Sequence, residues 1–256
     1  MAGLCLAGFL AGFIDSIGGG GGLISLPALL AAGFPPHLAL GTNKFQSTFG
    51  TSFALLNFHR KAKVVWKIAF MGIPFALVGS VLGTKLTLMI SPAILAKILI
   101  LLLPPAAIFI FASRGFVGTS PPFYKGGKGG IFHEFFIVPL VCLAIGAYDG
   151  FFGPGTGTFL IVALVLFARL SPVHASATAK TFNLASNVGS FVMFTISGQV
   201  YFTYAIAMAV ANIAGNLLGS HLAMKKGDKL VQRIVFVSLT ILFIYLLVKY
   251  FGMPLE

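Results

Sequence analysis

Charge is what this chain most lacks. Only five aspartates and glutamates stand among 256 residues, and charged residues of both signs make up 9%. A soluble domain carries charge on about a quarter of its residues, so a water-facing surface cannot be assembled from this composition. Cysteine is nearly missing too. Cys5 and Cys142 lie far apart with no metal-ligand spacing, which excludes a disulfide framework or a zinc site and leaves them as packing residues. No Ser-His-Asp set appears. The five glycines at 18 to 22 are not followed by Lys-Ser/Thr, so a nucleotide-binding loop has no support. The five histidines form no ligand cluster. The chain is therefore read as a non-enzyme with no cofactor and no metal.

What is there in abundance is apolar surface. Hydrophobic residues make up 58% and mean hydropathy is +1.01. Apolar runs such as 68–82, 98–112 and 234–248 are bounded by the few charges, the pattern of membrane-spanning helices. The partner is a lipid bilayer. A net charge of +12 would suggest nucleic acid in a soluble protein, but here the basic residues sit in short loops between apolar segments, as the positive-inside rule describes. Nucleic acid is not expected. Glycine and proline, at 31 and 13 residues, imply broken helices. The first dozen residues lack a basic region and are not read as a cleaved signal peptide.

A duplicated pattern organises the chain. Gly12-Phe13-Ile14-Asp15 reappears as Gly146-Ala147-Tyr148-Asp149, and each is followed by a glycine-rich run. Beyond that run the offset settles at 136: Pro36 matches Pro172, Thr42 matches Thr178, Lys44 matches Lys180, and Gly79 and Gly83 match Gly215 and Gly219. Many transporters are built from such repeats, with the substrate site at the repeat interface. The expected organisation is a first transmembrane repeat at 1–113, a polar cytoplasmic linker at 114–134 and a second transmembrane repeat at 135–256. Each repeat reads as two short segments flanking a glycine break (4–17 and 23–32; 134–148 and 158–168), then three long ones (37–58, 66–89 and 92–113; 172–197, 201–224 and 230–251). The fold class is an all-α polytopic membrane protein with two inverted-topology repeats. Inversion puts twelve basic residues on one side, among them Arg60, Lys61, Arg114, Arg169 and Lys225, against Lys85, Lys97 and Lys249 on the other. A parallel arrangement splits the same fifteen residues eight against seven, so positive-inside bias favours inversion. The short pair is read as a hairpin that enters and leaves on one side, the alternative being two thin spans, and both choices put the termini outside.

Three features bear chemistry. A five-glycine run cannot form ordinary helix facing lipid, so it lines protein or a cavity. The short helix after it presents unpaired N–H groups at a positive dipole end, where anions bind. The alternative is a hinge or tight packing. Lys44 and Lys180 fall inside long apolar segments, where an unpaired ammonium costs roughly 3 kcal/mol or more. Helical spacing places Lys180 on a stripe with Ser176, Asn183, Asn187 and Ser190, and Lys44 with Ser47 and Thr51. Two inward lysines near two helix N-termini make an anion site. The candidate substrate-binding residues are Lys44, Lys180, Gly19, Gly20, Gly21, Gly155, Thr156, Asn43, Ser47, Asn183 and Asn187. The alternative is that each lysine neutralises the aspartate of its own repeat. Asp15 and Asp149 each precede a break and have three candidate roles: capping the loop N–H groups, which is favoured, pairing with a lysine, or carrying a coupling proton. Gly79-x-x-x-Gly83 and Gly215-x-x-x-Gly219 read as close helix packing.

These residues also resemble a known family. Gly-Phe-Ile-Asp-Ser-Ile-Gly-Gly-Gly-Gly-Gly-Leu-Ile-Ser-Leu-Pro at 12–27, Gly-Thr-Asn-Lys at 41–44, Tyr-Asp-Gly-Phe-Phe-Gly-Pro-Gly-Thr-Gly at 148–157 and Ala-Thr-Ala-Lys at 177–180 look like the TauE/SafE sulfite exporters, also called the toluene sulfonate uptake permease family. The resemblance implies a bacterial inner-membrane permease for sulfur-containing oxyanions such as sulfite, thiosulfate or organosulfonates, and fits a small anionic substrate. The expected function is secondary transport by alternating access around a lysine-lined anion site. A passive anion channel and a membrane scaffold or assembly protein are the alternatives.

Overall fold

The computed structural model describes residues 1–61, 63–95 and 130–231, with residues 98, 233 and 234. The long segments expected at 92–113 and 230–251 and most of the linker at 114–134, with Lys97, Arg114, Lys125, Lys128 and Lys249, lie largely or wholly outside the described residues. Those described form eight principal helices and no strand. They are α1 (Ala2–Gly18), α2 (Gly22–Ala31), α3 (Pro36–Arg60), α4 (Trp66–Met89), α5 (Gly130–Phe151), α6 (Thr156–Phe167), α7 (Pro172–Ile196) and α8 (Phe202–Lys226). Pro36 and Pro172 open α3 and α7; a proline in the first turn loses only an N–H that has no helical partner there. His59 and Arg60 close α3, and Lys225 and Lys226 close α8, each facing the negative end of a helix dipole. One boundary departs from expectation. Helix α5 starts at Gly130, inside the stretch read as linker, and its 22 residues correspond to about 33 Å.

The helices exchange partners between the two halves. Helix α1 packs along α8, and α5 packs along α4. Helices α3 and α7 pack on each other, with α3 also against α8 and α7 against α4. Small residues permit the closest approaches. A Cβ on Gly79 or Gly83 would collide with the carbonyls of Leu143 and Ala147 on α5, and one on Gly215 or Gly219 with those of Phe9 and Phe13 on α1. Both Gly-x-x-x-Gly pairs thus hold backbone against backbone, the packing available to helices that cannot use the hydrophobic effect to associate. Asn212 fastens α8 to α1 by donating to the Gly8 carbonyl at 3.0 Å. Cys142 is buried, against Gly72.

Large apolar side chains face outward around a core that also holds many polar groups. Twenty-five polar or charged residues of the described set are buried, including both intramembrane lysines, while Phe70, Val78, Leu82, Leu86, Ile206 and Val210 face outward. Helices α4 and α8 are long and apolar enough to cross a membrane. Helices α3 and α7 are of similar length, at 25 residues each, but carry the polar stripes inward. Hydrocarbon outside and polar groups inside is the arrangement a bilayer stabilises. The described residues are those of an all-helical membrane protein.

Candidate anion site at the meeting of two glycine breaks

Each break is a backbone conformation that only glycine adopts without strain. Gly19 and Gly20 have φ of 73° and 92°, and Gly153 and Gly155 have 93° and 85°, in the region that disfavours any Cβ. The two breaks also touch. A Cβ on Gly19 would collide with the backbone of Gly157 and Thr158, and a Cβ on Gly157 would stand 2.8 Å from the Gly19 Cα. The Thr158 hydroxyl donates to the Gly18 carbonyl at 2.9 Å and fixes the crossing. Around it, the N–H groups of Gly20, Gly21 and Gly155 find no acceptor among the described residues. Two of them precede the first turn of α2 and one that of α6, where the helix dipole adds positive potential.

The intramembrane charges are paired across the halves. Lys44 Nζ lies 2.7 Å from Asp149 Oδ2, and Lys180 Nζ lies 2.7 Å from Asp15 Oδ2. This corrects two readings of the sequence. No lysine neutralises the aspartate of its own repeat, because α1 and α5 each pack into the opposite half. Neither aspartate caps its loop, because each carboxylate is turned toward a lysine, and no loop N–H donates to it among the described residues. A buried pair of this kind is strongly favoured over a lone buried charge, since removing one partner costs about 3–5 kcal/mol.

The pairs differ in their surroundings. Asp149 Oδ2 also accepts from the Ser186 hydroxyl at 2.5 Å, and Lys44 also donates to Asn187 Oδ1 at 3.2 Å. Asn187 in turn donates to Asn183 Oδ1 at 2.8 Å. Among the described residues Lys180 has no such further side-chain partner. Its second bond goes to the Asp15 backbone carbonyl, so it clamps the end of α1 just before the break.

A small polar cavity of about 20 Å³ lies between the breaks and the two lysine-bearing helices. Of the expected site residues, Asn43, Lys44 and Ser47 of α3, Asn183 and Asn187 of α7, Gly20, Gly21, Gly155 and Thr156 of the breaks, and both aspartates line it. Gly19 and Lys180 do not. Gly19 is the contact point between the breaks, and Lys180 is 1% exposed. Sequence reasoning passed over three further lining residues, Gly22, Gly153 and Gly157, although all stand in the two glycine runs. It also missed Ser186, whose signal was its position three residues after Asn183 on the polar face of α7, and Ser25, which donates to Asn43 Oδ1 at 2.5 Å.

The sequence matches the family described as "Sulfite exporter TauE/SafE" over residues 4–246. The chain belongs to that family. Among curated relatives of this TauE/SafE member, a probable membrane transporter protein of Haemophilus influenzae is 39% identical over 91% of this chain and 88% of its own length. The probable membrane transporter protein ORF9 of Sinorhizobium is 37% identical over 91% and 86%. The probable membrane transporter protein YfcA of Escherichia coli K12 is 34% identical over 91% and 84%. No solved structure matches the chain. The family resemblance read from the motifs is thereby established, and it places the chain among membrane transporters and not among enzymes.

Proposed function

We propose that this TauE/SafE member is a secondary transporter of the bacterial inner membrane for sulfur-containing oxyanions such as sulfite, thiosulfate or small organosulfonates. The two halves, 1–113 and 135–256, are repeats of inverted topology that rock about the cavity, with both termini outside and the basic linker in the cytoplasm. The observation that carries this reading is the cavity itself. One buried ammonium, Lys44, and several unpaired glycine N–H groups converge on a polar space where two glycine breaks cross. Charge from a lysine and directional donors from backbone suit a small oxyanion. Asn43, Ser47, Asn183 and Asn187 supply further donors around it. Support for the substrate class comes from the family description, a sulfite exporter.

The test is uptake of radiolabelled sulfite, thiosulfate and methanesulfonate into proteoliposomes. Saturable uptake with accelerated exchange, lost in Lys44→Gln, is expected. A flux that does not saturate and shows no exchange acceleration points to the channel alternative. Normal uptake by Lys44→Gln overturns the site.

A further inference from the structure

Resting on that reading, neither buried lysine among the described residues has positive charge to spare. Lys44 is matched by Asp149 and Lys180 by Asp15, each at 2.7 Å, so an anion entering the cavity meets a neutral set of ion pairs. Binding it beside Lys44 while Asp149 stays ionised would leave an excess buried negative charge, and in a low-dielectric interior that is costly. The surroundings of one pair offer a way out. If Asp149 takes up a proton, Lys44 is released as a free ammonium, and each partner keeps a hydrogen bond: Lys44 to Asn187 Oδ1 and Asp149 to the Ser186 hydroxyl. The other pair has no such provision. Lys180 is held by Asp15 alone, through both its carboxylate and its backbone carbonyl, and does not reach the cavity.

We infer that the Lys44–Asp149 pair is a proton-gated anion switch, and that the Lys180–Asp15 pair is a fixed clamp on the first glycine break. One proton is added to the Asp149 carboxylate as one anion takes its place on Lys44. Both leave on the other face, and the ion pair re-forms. A monoanion then crosses with one proton and no net charge. The charged and titratable groups around Asp149 are Lys44 from α3, Asp15 from α1, which lines the same cavity, and the neighbouring Tyr148 phenol, while Lys180 of α7 is bound to Asp15. Helix α6 has no charged residue, and Lys67 and Lys85 of α4 are exposed.

The experiment uses proteoliposomes with an imposed pH gradient or a potassium-valinomycin potential. With one pH unit, acid on the anion side, wild-type protein is expected to accumulate the transported anion up to about tenfold, while the potential alone drives no accumulation of methanesulfonate. Asp149→Asn is expected to exchange anion without a pH dependence and to accumulate none. The double change Asp15→Leu with Lys180→Met, which removes the clamp and keeps the interior neutral, is expected to keep the wild-type accumulation ratio, whatever its rate. A second measurement covers an Asp149→Asn protein that fails to fold: proton uptake by detergent-solubilised wild type when anion is added in weak buffer. Lys44→Gln provides the baseline for the anion's own buffering. About one proton per anion bound is expected. Saturable transport by wild type with no response to the pH gradient, or binding without proton uptake, overturns the switch and leaves the transporter reading standing. No saturable transport of any of the three anions by wild type overturns both.

Discussion

Replacing Gly19 by alanine tests whether the two glycine breaks meet as described. Two costs combine at that position. The backbone stands at φ 73°, and holding an alanine there costs about 1–2 kcal/mol. In addition the new methyl would strike the backbone of Gly157 and Thr158, and overpacking of this kind adds roughly 1–3 kcal/mol. Gly33 separates the terms. Its φ is 85°, yet a Cβ there meets nothing within 4 Å, so Gly33→Ala carries the first cost alone. Gly157→Ala, outside the positive-φ set, carries only the second. The assay is the thermal midpoint of detergent-solubilised protein, followed by fluorescence-detected chromatography after heating. At roughly 2–4 °C per kcal/mol for a chain of this size, Gly19→Ala should fall about 2–12 °C below Gly33→Ala, with Gly157→Ala also clearly below wild type. Equal midpoints for Gly19→Ala and Gly33→Ala would mean that the breaks do not touch, and the cavity between them would lose its frame.

Other outcomes follow from the same contacts. Asp15→Ala leaves Lys180 buried and without a carboxylate, and should destabilise by about 3–5 kcal/mol; the double change Asp15→Leu with Lys180→Met should recover much of this in the same thermal assay. Thr158→Val removes the only side-chain bond described to the Gly18 carbonyl and should cost about 1–3 kcal/mol, measured as a lower midpoint with fold retained by circular dichroism. Gly83→Leu should prevent α4 from reaching the Ala147 carbonyl and yield little folded protein, whereas Gly3→Ala, where a Cβ meets nothing within 4 Å, should express and melt as wild type.

Local features of the chain marked most helix ends. Pro36 and Pro172 announce the starts of α3 and α7, and the glycine runs mark the gaps between α1 and α2 and between α5 and α6, because both residue types act on the backbone itself. The start of α5 was not legible. Glycine at 129 and 130 and the preceding polar residues read as linker, and local composition cannot show where a helix extends. In the site, Lys44 and Asp149 stand out because charge in an apolar segment needs a partner. Which partner was hidden, since pairing across the halves depends on α1 and α5 crossing over, a tertiary fact. The 136-residue offset makes the two lysines look equivalent, yet Ser186 and Asn187 beside Asp149 and Lys44 have Gly50 and Thr51 at the matching positions.

Whether Lys44 holds the anion is read from the thermal midpoint of purified protein titrated with sulfite, thiosulfate or methanesulfonate. A ligand that binds only the folded state stabilises it by about 2.7 kcal/mol at one hundred times its dissociation constant. The wild-type midpoint should therefore rise with at least one of these anions and reach a steady logarithmic slope. Lys44→Gln should show no rise, and Asp15→Asn should still show one. A rise of equal size in Lys44→Gln would place the anion elsewhere and contradict the site described.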